Sequence, residues 1–319
     1  QLCFTLSKMK NYLSVLSLNV NRIEPKLNQI RSLIDNFLLN GAHLSIISIQ
    51  ETWCNHSNIL VNGYKYFGKG RQQAQGGGVG ILIKDSFQCE EIINDNYFRE
   101  FIHEAIAIKA SFNNFRCIVA SVYRPPKANN LNLNLNDSIN LFLETFTNYL
   151  TFLSSFNLPI FLSGDLNLNL FKINDLHSLS TRLFETLSFG GFINTTALAT
   201  RLDLPTYSLL DVVCVKNYLN NIRLSGVLPC DLSDHFAPFA IFSLDNPEPK
   251  QPEFFKRRLH NEANLNNFYL AMGFESWDNI IASEDIEYCF SSLTETFLKH
   301  YNEQIPEEKI RFNRRVMPI

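Results

Sequence analysis

The polar residues best suited to chemistry share one placement in this sequence, at or beside the ends of apolar segments. Such segments predict buried strands, and in a layered α/β protein the strand ends gather along one edge, where side chains converge. These residues are Asn19, Glu51, Tyr123, Asp165 and Asn167, each at the carboxyl end of a predicted strand, and His235, just before one. Oxygen ligands at one edge can hold a hard cation, and the remaining groups can hydrogen-bond a phosphate.

The segment Ser163-Gly164-Asp165-Leu166-Asn167 is the sharpest motif. Residues two apart on an extended chain face the same side, so Asp165 and Asn167 are predicted to point at one phosphate while Leu166 faces the core. The alternative is an Asx turn that closes the strand, because Gly, Asp and Asn are common in such turns.

Asp211, Asp234 and His235 form a second group of candidates. The adjacent Asp234 and His235 can divide labour, with the carboxylate on a metal ion and the imidazole at the phosphate. A turn or a helix N-cap is the alternative for Asp234. Asp211 interrupts an apolar run, so its carboxylate needs a partner, and orienting His235 is one option. A buried Arg or backbone amides would serve Asp211 equally.

Glu51 follows the apolar segment 44–49, an awkward position for a charge unless a cation pairs with it. Alternatively, the strand ends one residue earlier and Glu51 lies in solvent. The glycine-rich segment 76–80 lacks the Gly-Lys-Ser/Thr ending of a phosphate loop, which favours a tight turn into the next strand.

Strand-like and helix-like segments alternate irregularly up to about residue 243, which predicts sheets covered by helices. The predicted strands are 12–18, 44–49, 79–83, 104–111, 116–123, 159–162, 209–215 and 237–242. The predicted helices are 25–39, 138–153 and 180–188. Alternating Leu and Asn at 129–136, after two prolines, favour an exposed loop. Three prolines at 246–252 predict a linker, and two modest helices follow at 264–272 and 286–301.

Composition is that of a globular protein with an almost balanced charge. The chain has 319 residues, 45% of them hydrophobic, with 28 Lys and Arg against 31 Asp and Glu. A strongly basic footprint is absent, so non-specific binding to nucleic acid is expected to be weak and salt-sensitive. Apolar stretches are too short to span a bilayer, so no membrane partner is expected. Seven scattered cysteines without Cys-x-x-Cys spacing favour reduced thiols in an intracellular protein.

Read in order, the motifs resemble the series typical of the endonuclease/exonuclease/phosphatase superfamily. They are Ser17-Leu18-Asn19, Gln50-Glu51-Thr52, Val122-Tyr123-Arg124-Pro125, Gly164-Asp165-Leu166-Asn167, Ser208-Leu209-Leu210-Asp211 and Ser233-Asp234-His235. The Tyr-Arg-Pro-Pro strand end and the Asn-rich insertion most resemble the apurinic-endonuclease-like domain of LINE-like non-LTR retrotransposons, such as the CR1 and jockey groups. Leu166 stands where Phe is frequent, a difference that affects packing more than chemistry.

The resemblance implies an α/β fold, a four-layer α/β sandwich of two packed mixed β-sheets flanked by helices, with a C-terminal helical extension. It implies an enzyme domain at 1–245, a linker at 246–252 and a helical connector at 253–319 that leads towards a reverse transcriptase. By matching position, Glu51 is the main Mg²⁺ ligand, helped by Asn19 and Asp234, and Mn²⁺ is an alternative ion. The implied catalytic group comprises Asp165 at the attacking water, Asn167 and Tyr123 at the phosphate, and His235 positioned by Asp211.

Three functions follow as hypotheses. The first is a Mg²⁺-dependent endonuclease that nicks DNA to prime reverse transcription, with DNA as substrate and the element RNA and reverse transcriptase as partners in cis. It would be made in the cytoplasm and act in the nucleus. The second is a phosphatase or phosphodiesterase of the same fold acting on inositol-phosphate or lipid head groups. The third is a catalytically silent, domesticated remnant that only binds nucleic acid or a partner.

Overall fold

A computed structural model describes residues 6–7, 9, 11–55, 59–126, 134–173, 178–203, 206–244 and 254–311. The chain divides into two compact units, residues 1–247 and 248–319. The predicted linker at 246–252 lies outside the described residues. In the described part of the chain, no helix has the length and apolar character needed to cross a membrane, and no two cysteines are bonded to each other.

The first unit consists of strands interrupted by helices. The strands are β1 (Tyr12–Asn19), β2 (Ile46–Gln50), β3 (Tyr64–Lys69), β4 (Val79–Lys84), β5 (Gln88–Glu91), β6 (Glu104–Phe112), β7 (Phe115–Tyr123), β8 (Ile160–Asp165), β9 (Ile193–Asn194), β10 (Arg201–Asp203), β11 (Thr206–Ser208), β12 (Asp211–Lys216), β13 (Ile222–Leu228) and β14 (Ala237–Ser243). The helices include α1 (Leu27–Leu39), α2 (Leu135–Ser154) and α3 (Leu179–Phe189).

Two six-stranded sheets form the centre of this unit. The first has the order β13-β14-β1-β2-β4-β3, and the second has the order β5-β6-β7-β8-β12-β9. Strands β1 and β2 are parallel, as are β7 and β8, while the other neighbours in both sheets are antiparallel. Both sheets are therefore mixed, which confirms the predicted sheet type.

Buried apolar side chains between the layers hold the sandwich together. One cluster includes Ile30, Ile34 and Phe37 of α1 with the outer face of the first sheet. A second lies between the two sheets and includes Val15, Ile81, Val119 and Phe161. A third includes Phe142 and Phe146 of α2, Leu183 of α3 and the outer face of the second sheet. The order of layers is helix, sheet, sheet, helices, so the predicted four-layer sandwich is confirmed.

The central strands are buried on both faces, which explains why they read as continuous apolar runs. Every residue of β1 is buried, because α1 covers one face of its sheet and the second sheet covers the other. Burial removes about 25 cal/mol of unfavourable hydration per Å² of apolar surface, so these strands contribute strongly to stability. Partly exposed edge strands, such as β3 and β13, lack this signal and were not predicted.

Two sequence predictions are corrected by the structure. Helix α2 begins at Leu135 rather than at residue 138, because the Asn134 side chain caps it by accepting from the Asp137 N–H at 2.8 Å. The predicted loop at 129–136 therefore ends earlier, and its residues 129–133 lie outside the described residues. The predicted strand at 209–215 begins only at Asp211, so this carboxylate starts the strand instead of interrupting it.

The second unit contains a two-stranded antiparallel sheet and helices. Its strands are β15 (Phe254–Arg258) and β16 (Glu307–Arg311), and its helices are α4 (Glu262–Phe274), α5 (Asp278–Ile281) and α6 (Ile286–Gln304). Helices α4 and α6 pack through Phe268, whose ring centroid lies 5.3 Å from that of Phe297. The helices predicted at 264–272 and 286–301 correspond to α4 and α6, and the small sheet was not predicted.

Candidate active site

Strand register places four polar residues side by side across the second sheet. Tyr123 is opposite Glu104 on one side and opposite Asp165 on the other, and Asp165 is in turn opposite Asp211. Because β8 and β12 are antiparallel, the last residue of β8 meets the first residue of β12. One edge of this sheet therefore gathers residues that are up to 107 positions apart in sequence.

The Asn19 side chain joins this edge to the first sheet. Its Nδ2 donates to Glu51 Oε1 and to Asp165 Oδ2, each at 3.0 Å. Tyr123 also donates its hydroxyl to Glu51 Oε1, at 3.1 Å. Asp165 is fully buried and Asn19 nearly so, while Glu51 is half-buried. Four of the predicted site residues thus meet at one rim between the two sheets.

Backbone geometry at this rim holds the side chains of Glu51 and Asn167 in place. Glu51 has a φ of 55° and Asn167 a φ of 49°, both left-handed, so neither continues its strand. Asn167 was predicted to be extended and is instead in the Asx turn considered as the alternative. Its backbone N–H donates to Asp165 Oδ1 at 2.9 Å, and its side-chain Nδ2 donates to Arg124 O at 2.8 Å and Asp165 Oδ2 at 3.2 Å. In this state Asn167 positions Asp165.

His235 and Asp211 form a buried pair beside Asp165. His235 Nδ1 lies 2.7 Å from Asp211 Oδ2 and 4.0 Å from Asp165 Oδ2. Burial lowers the pKa of His235, but the hydrogen bond to Asp211 and the charges of Asp211, Asp165 and Asp234 outweigh burial and raise that pKa to about 9. The imidazole is therefore protonated at neutral pH and can donate from its other nitrogen towards an anion.

The surroundings of Asp165 favour proton uptake. Burial is the largest cause and the charge of Asp211 adds to it, so that the pKa of Asp165 is raised to about 8 even though His235 lowers it. Such a carboxylate binds a proton more tightly than an exposed one. In the metal-free protein this carboxyl therefore holds its own proton at neutral pH. It can accept a proton from water once a cation bound nearby has favoured its ionised form.

Asp234 is placed differently from the other predicted site residues. Its carboxylate lies 2.8 Å from the Arg201 guanidinium, and its side chain is 58% exposed. The described contacts do not bring it to Glu51 or Asn19. Its neighbour Ser233 does tie this loop to the rim, because the Ser233 hydroxyl donates to Asn19 O at 2.6 Å and accepts from His235 N–H at 3.2 Å.

A cluster of buried polar side chains lies below the rim, and it was not predicted from the sequence. Gln50 Oε1 accepts from Ser17 at 3.0 Å, while Gln50 Nε2 donates to Ser48 at 2.8 Å and to Ser121 of the opposite sheet at 3.2 Å. A buried polar group is costly unless it is hydrogen-bonded, so these bonds favour one alignment of the sheets. The small hydroxyl residues on the central strands were the available signal.

A buried ion pair that was not predicted from the sequence supports the glycine-rich segment beside Glu51. Glu104 is fully buried, and its Oε1 lies 2.6 Å from Arg71 Nε. Its other oxygen accepts from Gly78 N–H at 2.5 Å. Arg71 also lies over the Phe101 ring, with its guanidinium carbon 4.3 Å from the ring centroid. The glycine-rich segment has positive φ at Gly76, Gly77 and Gly78 and leads directly into β4, and it packs on this buried ion pair.

Replacing Gly77 by alanine tests how tightly this segment is packed. Gly77 has a φ of 62°, and a Cβ there would fall on both the Arg71 guanidinium and the Glu104 carboxylate. We expect a loss of roughly 2–5 kcal/mol, from the left-handed backbone together with overpacking. Gly63→Ala is the matched control, because Gly63 also has a positive φ but no atom within 4 Å of its Cβ position. It should lose about 1–2 kcal/mol.

Thermal unfolding measures both variants. Each 1 kcal/mol should lower the melting temperature by about 2–4 °C in a domain of this size. Equal melting temperatures for Gly77→Ala and Gly63→Ala would show that the Arg71–Glu104 pair can move aside at no cost.

Comparison with known proteins gives a family and a fold. The sequence model of a family described as the endonuclease/exonuclease/phosphatase family matches residues 16–235. No curated protein matches the sequence significantly. The endonuclease domain of TRAS1, a telomere-specific non-LTR retrotransposon, is 16% identical with a TM-score of 0.55, over 73% of this chain and all of that one.

Other solved structures have the same architecture. An AP endonuclease from Archaeoglobus fulgidus is 16% identical with a TM-score of 0.55, covering 72% of this chain and 99% of that one. A 3′ phosphatase from Neisseria, solved with a product DNA hairpin, is 15% identical with a TM-score of 0.50 over the same shares of the two chains. At these identities, the likeness shows a common fold.

Proposed function

The chain belongs to the endonuclease/exonuclease/phosphatase family, an enzyme family of metal-dependent hydrolases, and from this premise we propose that it is a Mg²⁺-dependent DNA endonuclease. In this proposal it nicks one strand and leaves a 3′-hydroxyl that primes reverse transcription of a retroelement. The observation that carries the proposal is the shared contact at the rim. One Asn19 amide nitrogen bridges Glu51 and Asp165, and Asp165 lies 4.0 Å from His235.

The donor set at the rim fits a hard divalent cation. Glu51 and Asp165 converge on one amide. The described hydrogen bonds of the Glu51 side chain are with Asn19 and Tyr123, neither of which is a cation. A cation bound beside these two groups would favour the ionised forms of both. Glu51 would be the main ligand. The Asn19 side-chain oxygen would assist if its amide turns over, because that oxygen now accepts from Asn21 N–H, and Asp234 would assist if its side chain leaves Arg201. Mg²⁺ prefers such oxygen ligands, and Mn²⁺ is the alternative.

The carboxylates and imidazole nearby offer a different place for a cation. Ligand atoms of Asp165, Asp211 and His235 all lie within 4.8 Å of one another. A cation there would have to displace the proton that His235 Nδ1 shares with Asp211, and the raised pKa of His235 opposes that displacement. We therefore assign the metal to the Glu51 side of the rim and leave the Asp211–His235 pair to hydrogen bonding.

The protein groups then have distinct tasks in hydrolysis. Asp165 accepts a proton from the attacking water, whose oxygen forms a bond to phosphorus as the P–O3′ bond breaks. The 3′-oxygen leaves with the bonding electrons and becomes the 3′-hydroxyl by taking a proton from solvent water. Protonated His235 donates to a non-bridging oxygen as negative charge grows there, while Asp211 fixes its ring. A metal held by Glu51 would supply positive charge next to the phosphate and would lower the pKa of nearby water. Tyr123 stays protonated, because burial and the neighbouring carboxylates raise its pKa, and it can donate towards the phosphate.

Asn167 needs a small rearrangement for its proposed task. Both of its amide hydrogens are occupied, one by Arg124 O and one by Asp165 Oδ2. The contact to Asp165 is the longer, at 3.2 Å, so it is the one expected to give way to a phosphate oxygen. Asn167 would then hold the substrate while its backbone N–H keeps Asp165 in position.

The choice of DNA and of a retroelement rests on similarity. The TRAS1 domain is described as belonging to a non-LTR retrotransposon, and the Neisseria enzyme was solved with a DNA product. The motif series and the Asn-rich insertion favour the same choice. In that setting the C-terminal unit would connect to a reverse transcriptase, the element RNA would be a further partner, and the protein would act in the nucleus.

Plasmid nicking tests the proposal. With Mg²⁺, we expect the protein to convert supercoiled plasmid to open circle with 3′-hydroxyl ends that a polymerase extends, and chelation of the metal should abolish the conversion. Glu51→Gln should raise the Mg²⁺ concentration needed for half-maximal rate, whereas the exposed Glu90→Gln should not. Release of inorganic phosphate from phosphoinositides without any plasmid nicking would replace the proposal with a head-group phosphatase.

A further inference from the structure

Trp53 lies on the rim next to Glu51 and exposes an unusual amount of its ring. The residue as a whole is 45% exposed. Tryptophan is highly buried on average, because its large apolar surface is costly in water. Trp53 lies two residues from Glu51, the main proposed metal ligand. Its exposure is therefore consistent with a ligand that covers the ring when it binds.

The backbone around Trp53 is held on both sides. Trp53 N–H donates to Gly77 O at 2.8 Å, and Thr52 N–H donates to Gly78 O at 3.3 Å. From the other side, Arg22 N–H donates to Glu51 O at 2.8 Å. Trp53 has a left-handed φ of 51°, so the chain turns sharply at this residue. The backbone that carries the ring is thus held in place, so binding at this residue needs no ordering of the main chain.

The ring borders a cleft that includes part of the candidate active site. The cleft has a volume of about 340 Å³, and its walls include Trp53, Glu51, Tyr123, Phe101 and Pro125. This volume falls in the range of about 300–1,000 Å³ typical of small-molecule sites. One wall carries the groups proposed for the metal and the phosphate. The remaining lining combines aromatic and apolar residues with Arg71 and Gln75. The cleft therefore suits a phosphate joined to a flat, apolar-faced group.

We propose that Trp53 is a stacking platform for one unpaired nucleobase adjacent to the scissile phosphate. This inference rests on the proposed nuclease function and narrows its substrate to a strand with an accessible base at that position. Nucleobases have a π-face that stacks on indole, whereas an inositol or lipid head group has none. Stacking needs no particular base, so Trp53 contributes to binding and positioning with little sequence preference.

Kinetic variants test the need for a flat ring. Trp53→Ala should lower kcat/KM for nicking of an oligonucleotide by about 10- to 100-fold, in line with stacking measured per base. Trp53→Phe should stay within about 3-fold of the wild type. Trp53→Leu keeps apolar bulk without a flat ring and should behave like Trp53→Ala, with an unchanged melting temperature. Full activity in Trp53→Ala or in Trp53→Leu would overturn the proposal.

Fluorescence gives a readout that does not depend on cleavage. The chain has two tryptophans, so Trp277→Phe leaves Trp53 as the single indole, and adding Asp165→Asn prevents cleavage. The anisotropy of a dye on the oligonucleotide measures binding. When the oligonucleotide binds, the fluorescence emission of Trp53 should be quenched. A probe of the same length made only of base-free sugar phosphates should bind without quenching.

The two proposals fail in different ways. A wild-type protein that nicks no DNA defeats the nuclease assignment. A wild-type protein that does nick, together with saturated DNA binding that leaves Trp53 emission unchanged, overturns the stacking role alone.

Discussion

Replacing Asp165 by asparagine should lower the rate of plasmid nicking by about 10²–10⁴-fold, the range typical of a lost general acid or base. The substitution keeps the size of the side chain but removes the group that accepts a proton from water. Asp165 is fully buried and shares the Asn19 amide with Glu51, so the change acts at the centre of the proposed site. Single-turnover nicking at saturating Mg²⁺ measures the loss.

The same substitution should change how the stability of the metal-free protein depends on pH. Asparagine keeps only one of the two oxygens that accept hydrogen bonds from Asn19 and Asn167, so the variant should be less stable than the wild type at low pH and should gain on it as the pH rises. The pKa of Asp165 is raised from its ordinary value near 3.8 to about 8, so the folded state holds this proton more tightly than the unfolded state. Wild-type stability should therefore fall as the pH rises from about 4 to about 8. His235 adds a decline in the same direction from about pH 6.5 to about 9, because its folded pKa is also raised.

Melting temperatures in the presence of a chelator check the pH dependence. The melting temperature of Asp165→Asn minus that of the wild type should rise from pH 4 to pH 8. The exposed Asp85→Asn serves as the matched control and should follow the wild type in both nicking and melting. Nicking by Asp165→Asn at the rate of Asp85→Asn would remove Asp165 from the mechanism.

Replacing His235 by alanine should lower the nicking rate by about 10²–10³-fold, the loss seen when one donor to a developing oxyanion is removed. The structure also predicts how this loss combines with a change at Asp211. Asp211 Oδ2 lies 2.7 Å from His235 Nδ1, so Asp211 is expected to act through the imidazole as a positioning residue. Asp211→Asn in the His235→Ala background should change the rate by less than about 3-fold.

A double-mutant cycle on the nicking rate decides whether the pair acts as a unit. The single Asp211→Asn variant should lose activity in the wild-type background and shift the alkaline limb of the pH–rate profile to lower pH. Asp231→Asn is the control, because Asp231 is exposed and precedes His235 by four residues in the same connection. If the rate loss of the double variant equals the product of the losses of the two single variants, Asp211 acts independently of His235, for example as a metal ligand.

The central strands could be predicted from the sequence because burial on both faces leaves a plain signal. Strands β1, β2 and β8 are mainly apolar with isolated serines, and candidate polar residues stand at or just after their ends. Both the strands and the positions of those residues were therefore visible. Edge strands were missed for the opposite reason. In β3 the residues are only partly buried and include Lys65 and Lys69, so neither a continuous nor an alternating apolar pattern stands out.

The chemical residues of the site were predictable, but the contacts among them were not. Asp211 was linked to His235 from its position in an apolar run, although it starts the strand rather than lying inside it. Asn167 was predicted to be extended, and its left-handed turn depends on bonds to Arg124 and Asp165 that a single sequence does not display. Its actual contacts make it a support for Asp165 before any substrate binds.

Glu104 was not identified from the sequence, although its position resembles that of Glu51. It begins an apolar strand, which is the signal that singled out Glu51 at the end of another. Its partner Arg71 is 33 residues away on the glycine-rich loop, and that pairing depends on how β4 and β6 pack. Ion pairs between distant segments of this kind require the three-dimensional structure.

The most direct measurement is the position of a bound metal in crystals grown with Mn²⁺, located by its anomalous scattering. The account predicts one strong peak within coordination distance of the Glu51 carboxylate and next to Asn19, with the Asp211–His235 hydrogen bond intact. A peak enclosed by Asp165, Asp211 and His235, with Glu51 making no contact to it, would contradict the assignment of the metal. The absence of any anomalous peak at the rim in crystals grown with Mn²⁺ would contradict the metal-dependent mechanism itself.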